Sequence, residues 1–204
     1  MQNIRNIIFD LGGVILDIDF KRTERAFVEL GVTNFSELFG LGHAESFFKE
    51  HEAGKITDDE FLASLQRVAT HSLEPEVVQA AWNALLISFP PERIELLKRL
   101  KSKYRLFLLS NTNAIHVTAF QKIYREAFNN GVLDELFEKT YYSHKIQLRK
   151  PNKEIYEFVL KDKQLKPEET LFIDDALVNV EAARDSGMQA IHLKTGMTIL
   201  NLGL

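Results

Sequence analysis

The stretch Ile4-Arg5-Asn6-Ile7-Ile8-Phe9-Asp10-Leu11-Gly12-Gly13 decides how the chain is read. An apolar run of strand length stops at a carboxylate, and a pair of glycines follows. Glycine allows a tight turn or a close approach of backbone to ligand. Apolar, β-branched runs of strand length recur at residues 105–109, 139–142, 170–173 and 190–193. Between and before them lie stretches with apolar residues at helical spacing: 91–101, 114–128, 153–161 and 177–186. Strands alternating with helices of this length predict an α/β fold with a mainly parallel sheet. Right-handed crossovers then place helices on both faces.

Residues 20–88 break the alternation and are expected to form helices only. Thr57-Asp58-Asp59-Glu60 has the form of a capping box, Gly54 is suited to end a helix, and a further helix is predicted from Pro75 to about Leu86. Seven of the fifteen phenylalanines fall between Phe20 and Phe61, so this segment carries apolar content of its own. Pro90-Pro91 returns the chain to the sheet. The expected organisation is an α/β core of residues 1–16 and 89–204, with residues 17–88 as a small inserted helical cap.

Composition narrows the chemistry. The 204 residues, 45% hydrophobic and 26% charged, suffice to bury a core without disulfides or a structural metal. No cysteine is present, which excludes disulfide scaffolds, thiolate zinc sites, CxxC redox chemistry and a cysteine nucleophile. A formal net charge of −4, with no run of four or more Lys/Arg, argues against nucleic-acid binding. Apolar stretches are too short to span a membrane. The apolar N-terminal sixteen residues contain Asp10 and lack a small-residue cleavage site, so a signal peptide is not expected. A cytoplasmic protein, monomeric or homodimeric, is the expectation. With no thiols, carboxylates are the first place to look for catalysis.

Open α/β sheets bind ligands beyond the carboxyl ends of their strands. The residues found there are Asp10-Leu11-Gly12-Gly13, Ser110-Asn111-Thr112-Asn113, a loop of residues 143–150 closing with Lys150-Pro151, and Asp174-Asp175. Each has a bland alternative. Asp10 could start a turn, Ser110 and Asn111 could cap a helix, Pro151 could open one, and Asp174-Asp175 could serve an N-terminus. Together they suit phosphate and magnesium. An aspartate can attack phosphorus, and carboxylates can hold a hard cation between anions. Lys150 offsets charge, and Ser110 with backbone N–H groups can hold phosphoryl oxygens.

The four motifs Phe9-Asp10-Leu11-Gly12-Gly13-Val14-Ile15, Leu109-Ser110-Asn111-Thr112-Asn113, Arg149-Lys150-Pro151 and Ile173-Asp174-Asp175 resemble those of the haloacid dehalogenase-like (HAD) superfamily. The likeness runs from Ile4 to His192, with the insertion where subfamily I places its C1 cap. Asp10–Asp19, His51-Glu52 with Gly54, and Ser110–Asn113 are similar to the α-D-glucose-1-phosphate phosphatase group, and the N-terminal phosphatase domain of epoxide hydrolases is another near relative. The resemblance implies a Rossmann-like core and a Mg²⁺-dependent phosphatase of a small phosphorylated metabolite, such as a sugar phosphate. It assigns Asp10 as nucleophile and metal ligand, the Gly12 carbonyl and Asp175 as further ligands supported by Asp174, Ser110 and Asn111 to phosphate, and Lys150 as the third-motif lysine. In the cap, His43, Phe47, Phe48, His51 and Glu52 are candidates to face substrate, with His51 taken as a substrate-binding residue.

Two departures stand out. The second aspartate that most phosphatases of the superfamily carry two residues after the nucleophile is replaced by Gly12, with Asp17 as a nearby substitute or a hinge residue. Gln147 stands where relatives usually have glycine. The alternatives are a degenerate member that binds a phosphorylated ligand or partner without turnover, and a metal-free haloacid dehalogenase.

Overall fold

The computed structural model describes residues 3–32, 34–39, 46–69 and 72–204. Seven strands occur among them: β1 Asn6–Phe9, β2 Asp17–Ile18, β3 Leu86–Ser88, β4 Arg105–Ser110, β5 Lys139–Tyr142, β6 Thr170–Asp174 and β7 Gln189–His192. Five form one sheet in the order β5-β4-β1-β6-β7, with every adjacent pair parallel. This is the mainly parallel α/β sheet expected from the alternation, in the Rossmann-like form that the family resemblance implies.

Period-2 side-chain direction divides the sheet between two apolar layers. Ile7, Phe9, Leu106, Leu108, Leu171 and Ile173 pack on one face with helices α6 (Pro91–Leu100) and α7 (Ala114–Ala127). Ile8, Phe107, Leu109 and Phe172 pack on the other with α9 (Lys153–Asp162) and α10 (Leu177–Asp185). Because both faces are covered, central strands read as unbroken apolar runs.

Among the described residues of the inserted segment there are five helices: α1 Phe20–Glu29, α2 Phe35–Phe39, α3 Ser46–Glu52, α4 Asp58–Val68 and α5 Pro75–Asn83. They bury a third cluster around Phe27, Phe35, Phe48, Phe61, Leu65 and Trp82, joined by Ile115 of α7. The capping box at Thr57 and Glu60 forms as expected. Gly54, at φ 64°, follows α3, and its N–H donates to the His51 carbonyl at 3.0 Å.

The segment is not helical throughout. β2 and β3 pair antiparallel where it leaves and rejoins the core. The helix from Pro75 stops at Asn83 rather than Leu86, because Leu85 is captured elsewhere. Its N–H donates to Thr23 Oγ1 at 3.0 Å, and its carbonyl accepts from Asp19 N–H at 2.9 Å. A three-residue strand is too short for a periodic signal to mark it. Residues 143–150 also differ from a plain loop, since Ser143–Ile146 forms a helical turn, α8.

Candidate active site

Asp10 emerges from the centre of the sheet, with its N–H donating to the Ile173 carbonyl at 2.9 Å. The chain then folds back tightly, and Ile15 and Leu16 both donate to the Leu11 carbonyl, at 2.8 and 2.9 Å. Gly13 sits at φ 71°, where a side chain would also collide with the Asp175 carboxylate. The second glycine of the pair is therefore required twice, by backbone conformation and by the neighbouring acid.

Lys150 crosses under this turn. Its Nζ lies 2.7 Å from Asp10 Oδ1 and 2.6 Å from Asp174 Oδ2, and the three side chains are almost wholly enclosed. Asp174 is tied further: Oδ1 accepts from the Ala176 N–H at 2.8 Å, and Asn179 Nδ2 lies 3.1 Å from both carboxylate oxygens. Asp175 opens to solvent. Burial pushes the Asp10 carboxyl up to about 7 against the pull of Lys150, with Asp174 adding to the rise. Burial also acts on Lys150, favouring its neutral form, but the two carboxylates outweigh it and the ammonium is held firmly charged. Desolvation, then the Asp174 charge, raise Asp175 as well.

The alternative local roles of these residues are settled by their contacts. The N-cap of α7 is Asn113, whose side chain accepts from the His116 N–H, rather than Ser110 or Asn111. Helix α9 begins at Lys153, beyond Pro151, and Asp10 precedes a turn while its carboxylate holds Lys150. Asp174 serves both purposes, receiving the first turn of α10 and the lysine.

Asn111 is a clamp on the lysine segment. Its Oδ1 accepts from the Lys150 N–H and its Nδ2 donates to the Lys150 carbonyl, each at 2.9 Å. Both polar ends of its side chain are thus engaged by backbone, while Ser110 and Thr112 bring hydroxyl-bearing side chains to the cleft. Gln147 adopts a left-handed conformation, φ 56° and ψ 26°, at the end of α8. That backbone explains why glycine suits the position.

Carboxylate oxygens of Asp10, Asp174 and Asp175 lie within 4.8 Å of one another, the one such cluster among the described residues. Hard oxygen donors crowded so that burial and mutual repulsion favour protonation fit a small divalent cation. Since Asp174 is engaged by Lys150, Ala176 and Asn179, Asp10 and Asp175 are the carboxylates placed to bind one.

Not every expected residue joins the site. His51 is buried in the insertion, its ring stacked on Phe61 at 4.0 Å with Nε2 2.7 Å from Asp58 Oδ1, and it does not line the cleft. The residues that enclose it, Phe61 and Asp58, belong to the next helix, α4, which is why a histidine at that spacing reads ambiguously. Phe47 and Phe48 likewise pack inside the insertion. Asp17 pairs with Arg93 at 2.8 Å, a contact between β2 and α6 that suits a hinge residue. His43 lies outside the described residues. At Gly12 an added Cβ would stand 2.9 Å from Ile18 Cδ1, so the isoleucine fills the space beside the missing side chain.

Between insertion and core opens a cleft of about 90 Å³. Gly12, Ser110, Asn111 and Thr112 line it from the core, and Ile18, Phe39, Glu52 and Trp82 from the inserted segment. Contacts near Glu52 help tie the two sides together. Arg149 donates to Glu52 Oε2 at 2.8 Å, Ser143 Oγ donates to the Glu52 carbonyl at 2.6 Å, and a side chain at Gly54 would collide with the His144 carbonyl.

A model of the haloacid dehalogenase-like hydrolase family matches residues 4–187. The chain belongs to that family, and is a hydrolase. It is similar to a D-ribitol-5-phosphate phosphatase of Bacteroides thetaiotaomicron, with 31% identity over 95% of this chain and 93% of the relative. A HAD-family enzyme of the same organism, crystallised as a mutant with magnesium and inorganic phosphate, superposes with a TM-score of 0.93 at 32% identity, covering 98% of this chain and 99% of that one. A predicted HAD-like hydrolase of Porphyromonas gingivalis gives a TM-score of 0.89 at 33% identity, covering 98% and 97%.

Glu52, a candidate from the sequence, does line the cleft, whereas sequence reading missed Asn179, Ser143 and the pairing of Glu52 with Arg149 as parts of this HAD-like site. Asn179 follows Asp174 by five residues, the reach of one helical turn from a strand end, and that spacing is a usable signal. Ser143 and Arg149 act through contacts with the distant Glu52, which no local pattern marks.

Proposed function

We propose that this protein is a magnesium-dependent phosphatase of a small phosphorylated metabolite, a sugar or polyol monophosphate, with Asp10 as nucleophile. The supporting observation is the Asp10 carboxylate: buried at a strand end, held through Oδ1 by Lys150, and clustered with Asp175. The named activity of the Bacteroides relative supports the same substrate class.

Asp10 attacks phosphorus, and the ester P–O bond breaks as the alcohol leaves and takes up a proton from solvent. Water then hydrolyses the aspartyl phosphate, releasing inorganic phosphate and restoring the carboxylate. Lys150 fixes the orientation of Asp10 and offsets incoming negative charge, and Asp174 keeps the lysine in place. Ser110 donates to a phosphoryl oxygen, while Asn111 acts by holding the Lys150 segment. Asp10, Asp175 and the Gly12 carbonyl would hold Mg²⁺, which supplies charge neutralisation at the phosphoryl group. Residues 17–88 act as the cap that closes over the cleft, hinged at β2 and β3.

The cysteine-free composition supports a cytoplasmic setting, and no helix among the described residues is long and apolar enough to cross a membrane. Gly12, backed by Ile18, favours one second reading: a protein that binds phosphorylated ligands without turnover. Acid-quenched reaction with ³²P-labelled substrate separates the two. Turnover through Asp10 leaves label on the peptide containing it, whereas a binding protein yields no labelled peptide and no released phosphate.

A further inference from the structure

The cleft has an uneven chemistry. Its inner wall is apolar, formed by Leu11, Leu16, Ile18, Trp82, Leu85 and Leu86. Its polar strip is neutral: Ser110, Asn111 and Thr112 from the end of β4, and His116. His116 is uncharged at neutral pH, because burial depresses it and both ring nitrogens are engaged, Nε2 with the Trp82 carbonyl and Nδ1 with Asn113. Among the described lining residues, Glu52 alone carries a formal charge. It stands at the end of α3, half-buried, anchored from behind by Arg149 Nη2 at 2.8 Å and Nε at 3.3 Å.

We infer that Glu52 is a specificity-determining residue for the alcohol portion of the substrate. Resting on the phosphatase reading, this narrows the substrate class to monophosphates of uncharged, hydroxylated alcohols. The phosphoryl group would sit at Asp10, next to the end of the cleft lined by Leu11, Gly12 and Ser110, where Lys150 and a cation meet its charge. The alcohol then extends along Gly12 and Ile18 toward Glu52. Its C–H face lies on the apolar wall, and a hydroxyl donates to the Glu52 carboxylate. A second anion at that end of the substrate, whether carboxylate or phosphate, meets the Glu52 carboxylate at Oε1, the oxygen that Arg149 does not hold, and is disfavoured there relative to a hydroxyl that can donate to it. Arg149 holds Glu52 through Oε2 and does not itself line the cleft, so of the pair it is Glu52 that borders the space a ligand would fill.

The test compares D-ribitol 5-phosphate with 5-phospho-D-ribonate, which shares its five-carbon skeleton but ends in a carboxylate, with p-nitrophenyl phosphate as the reference substrate. In Mg²⁺ the wild type is expected to favour the ribitol ester by about tenfold in kcat/KM. Glu52→Gln should shrink that ratio to below about threefold, and Arg149→Gln, which exposes the carboxylate, should widen it. A wild-type ratio near one overturns the inference without need of any variant. An unchanged ratio in folded Glu52→Gln does the same. If p-nitrophenyl phosphate is hydrolysed while the ratio is near one, the specificity assignment alone fails. If none of the three esters is hydrolysed, the phosphatase reading fails and this inference with it.

Discussion

The Lys150 ammonium lies 2.6 Å from the Asp174 carboxylate, and the two side chains are 1% and 0% exposed. Two adjacent aspartates in the sequence therefore have separate tasks. Asp174 is the permanent partner of a buried lysine, while Asp175, open to solvent, faces the Asp10 cluster.

Substituting the two should give different failures. Asp174→Asn leaves the buried Lys150 short of a counter-charge and should cost about 3–5 kcal/mol in urea denaturation. Asp175→Asn should leave the melting transition nearly in place and instead raise the Mg²⁺ concentration needed for activity. Equal stability losses in the two variants would show that the division of roles is wrong.

Gly13 and Gly196 provide a matched pair. Both have positive φ, 71° and 84°, but an added Cβ collides with Asp175 only at Gly13 and meets nothing within 4 Å at Gly196. Gly196→Ala should cost about 1–2 kcal/mol of backbone strain and retain activity. Gly13→Ala should add a loss of activity of about tenfold or more, because the Asp175 carboxylate must move. Steady-state rates for both alanine variants, measured beside their melting temperatures, make the comparison.

Much of this site can be read in the amino-acid sequence because strand-end chemistry is local. Asp10, Ser110, Lys150 and Asp175 each follow an apolar run or close a loop, and the order of the motifs brings them to one edge of the sheet. His51 and Asn111 show where that reasoning stops. Both are polar residues beside functional ones, yet the direction of each side chain is set by a partner on another element: Phe61 and Asp58 of the next helix act on His51, and the Lys150 backbone, 39 positions on, acts on Asn111. β3 was hidden for a different reason. Its three residues pair only because Thr23 and Asp19, more than sixty positions earlier, intercept Leu85.

His116 should tie stability to pH. Its Nε2–H donates to the Trp82 carbonyl at 3.2 Å and its Nδ1 accepts from Asn113, so the folded protein requires the neutral ring. Burial, the leading cause, holds its pKa down to about 4 from 6.5. Between those values the unfolded chain binds a proton that the folded one refuses. Stability is therefore complete above about pH 6.5 and declines as pH falls toward 4, by as much as about 3 kcal/mol. The gap in unfolding free energy between wild type and His116→Asn should close over that interval. A gap independent of pH would mean that the ring titrates normally.

Gln147 holds a left-handed backbone at φ 56° just before the Lys150 segment. Relief of that strain, offset by the greater freedom of glycine in the unfolded chain, predicts that Gln147→Gly is neutral or stabilising by up to about 1 kcal/mol. Thermal unfolding of the variant should show an equal or higher midpoint. A clear drop would indicate that the glutamine side chain makes a stabilising contribution that outweighs its backbone cost.

Asp10 carries the account, and its side chain can be altered with little change of shape. The decisive measurement is release of inorganic phosphate from D-ribitol 5-phosphate and p-nitrophenyl phosphate by wild type and Asp10→Asn, each with Mg²⁺ and with chelator. The wild type should turn over with Mg²⁺ and stop with chelator, and Asp10→Asn should be inactive in both. Turnover by folded Asp10→Asn at a rate comparable to wild type would contradict the nucleophile assignment.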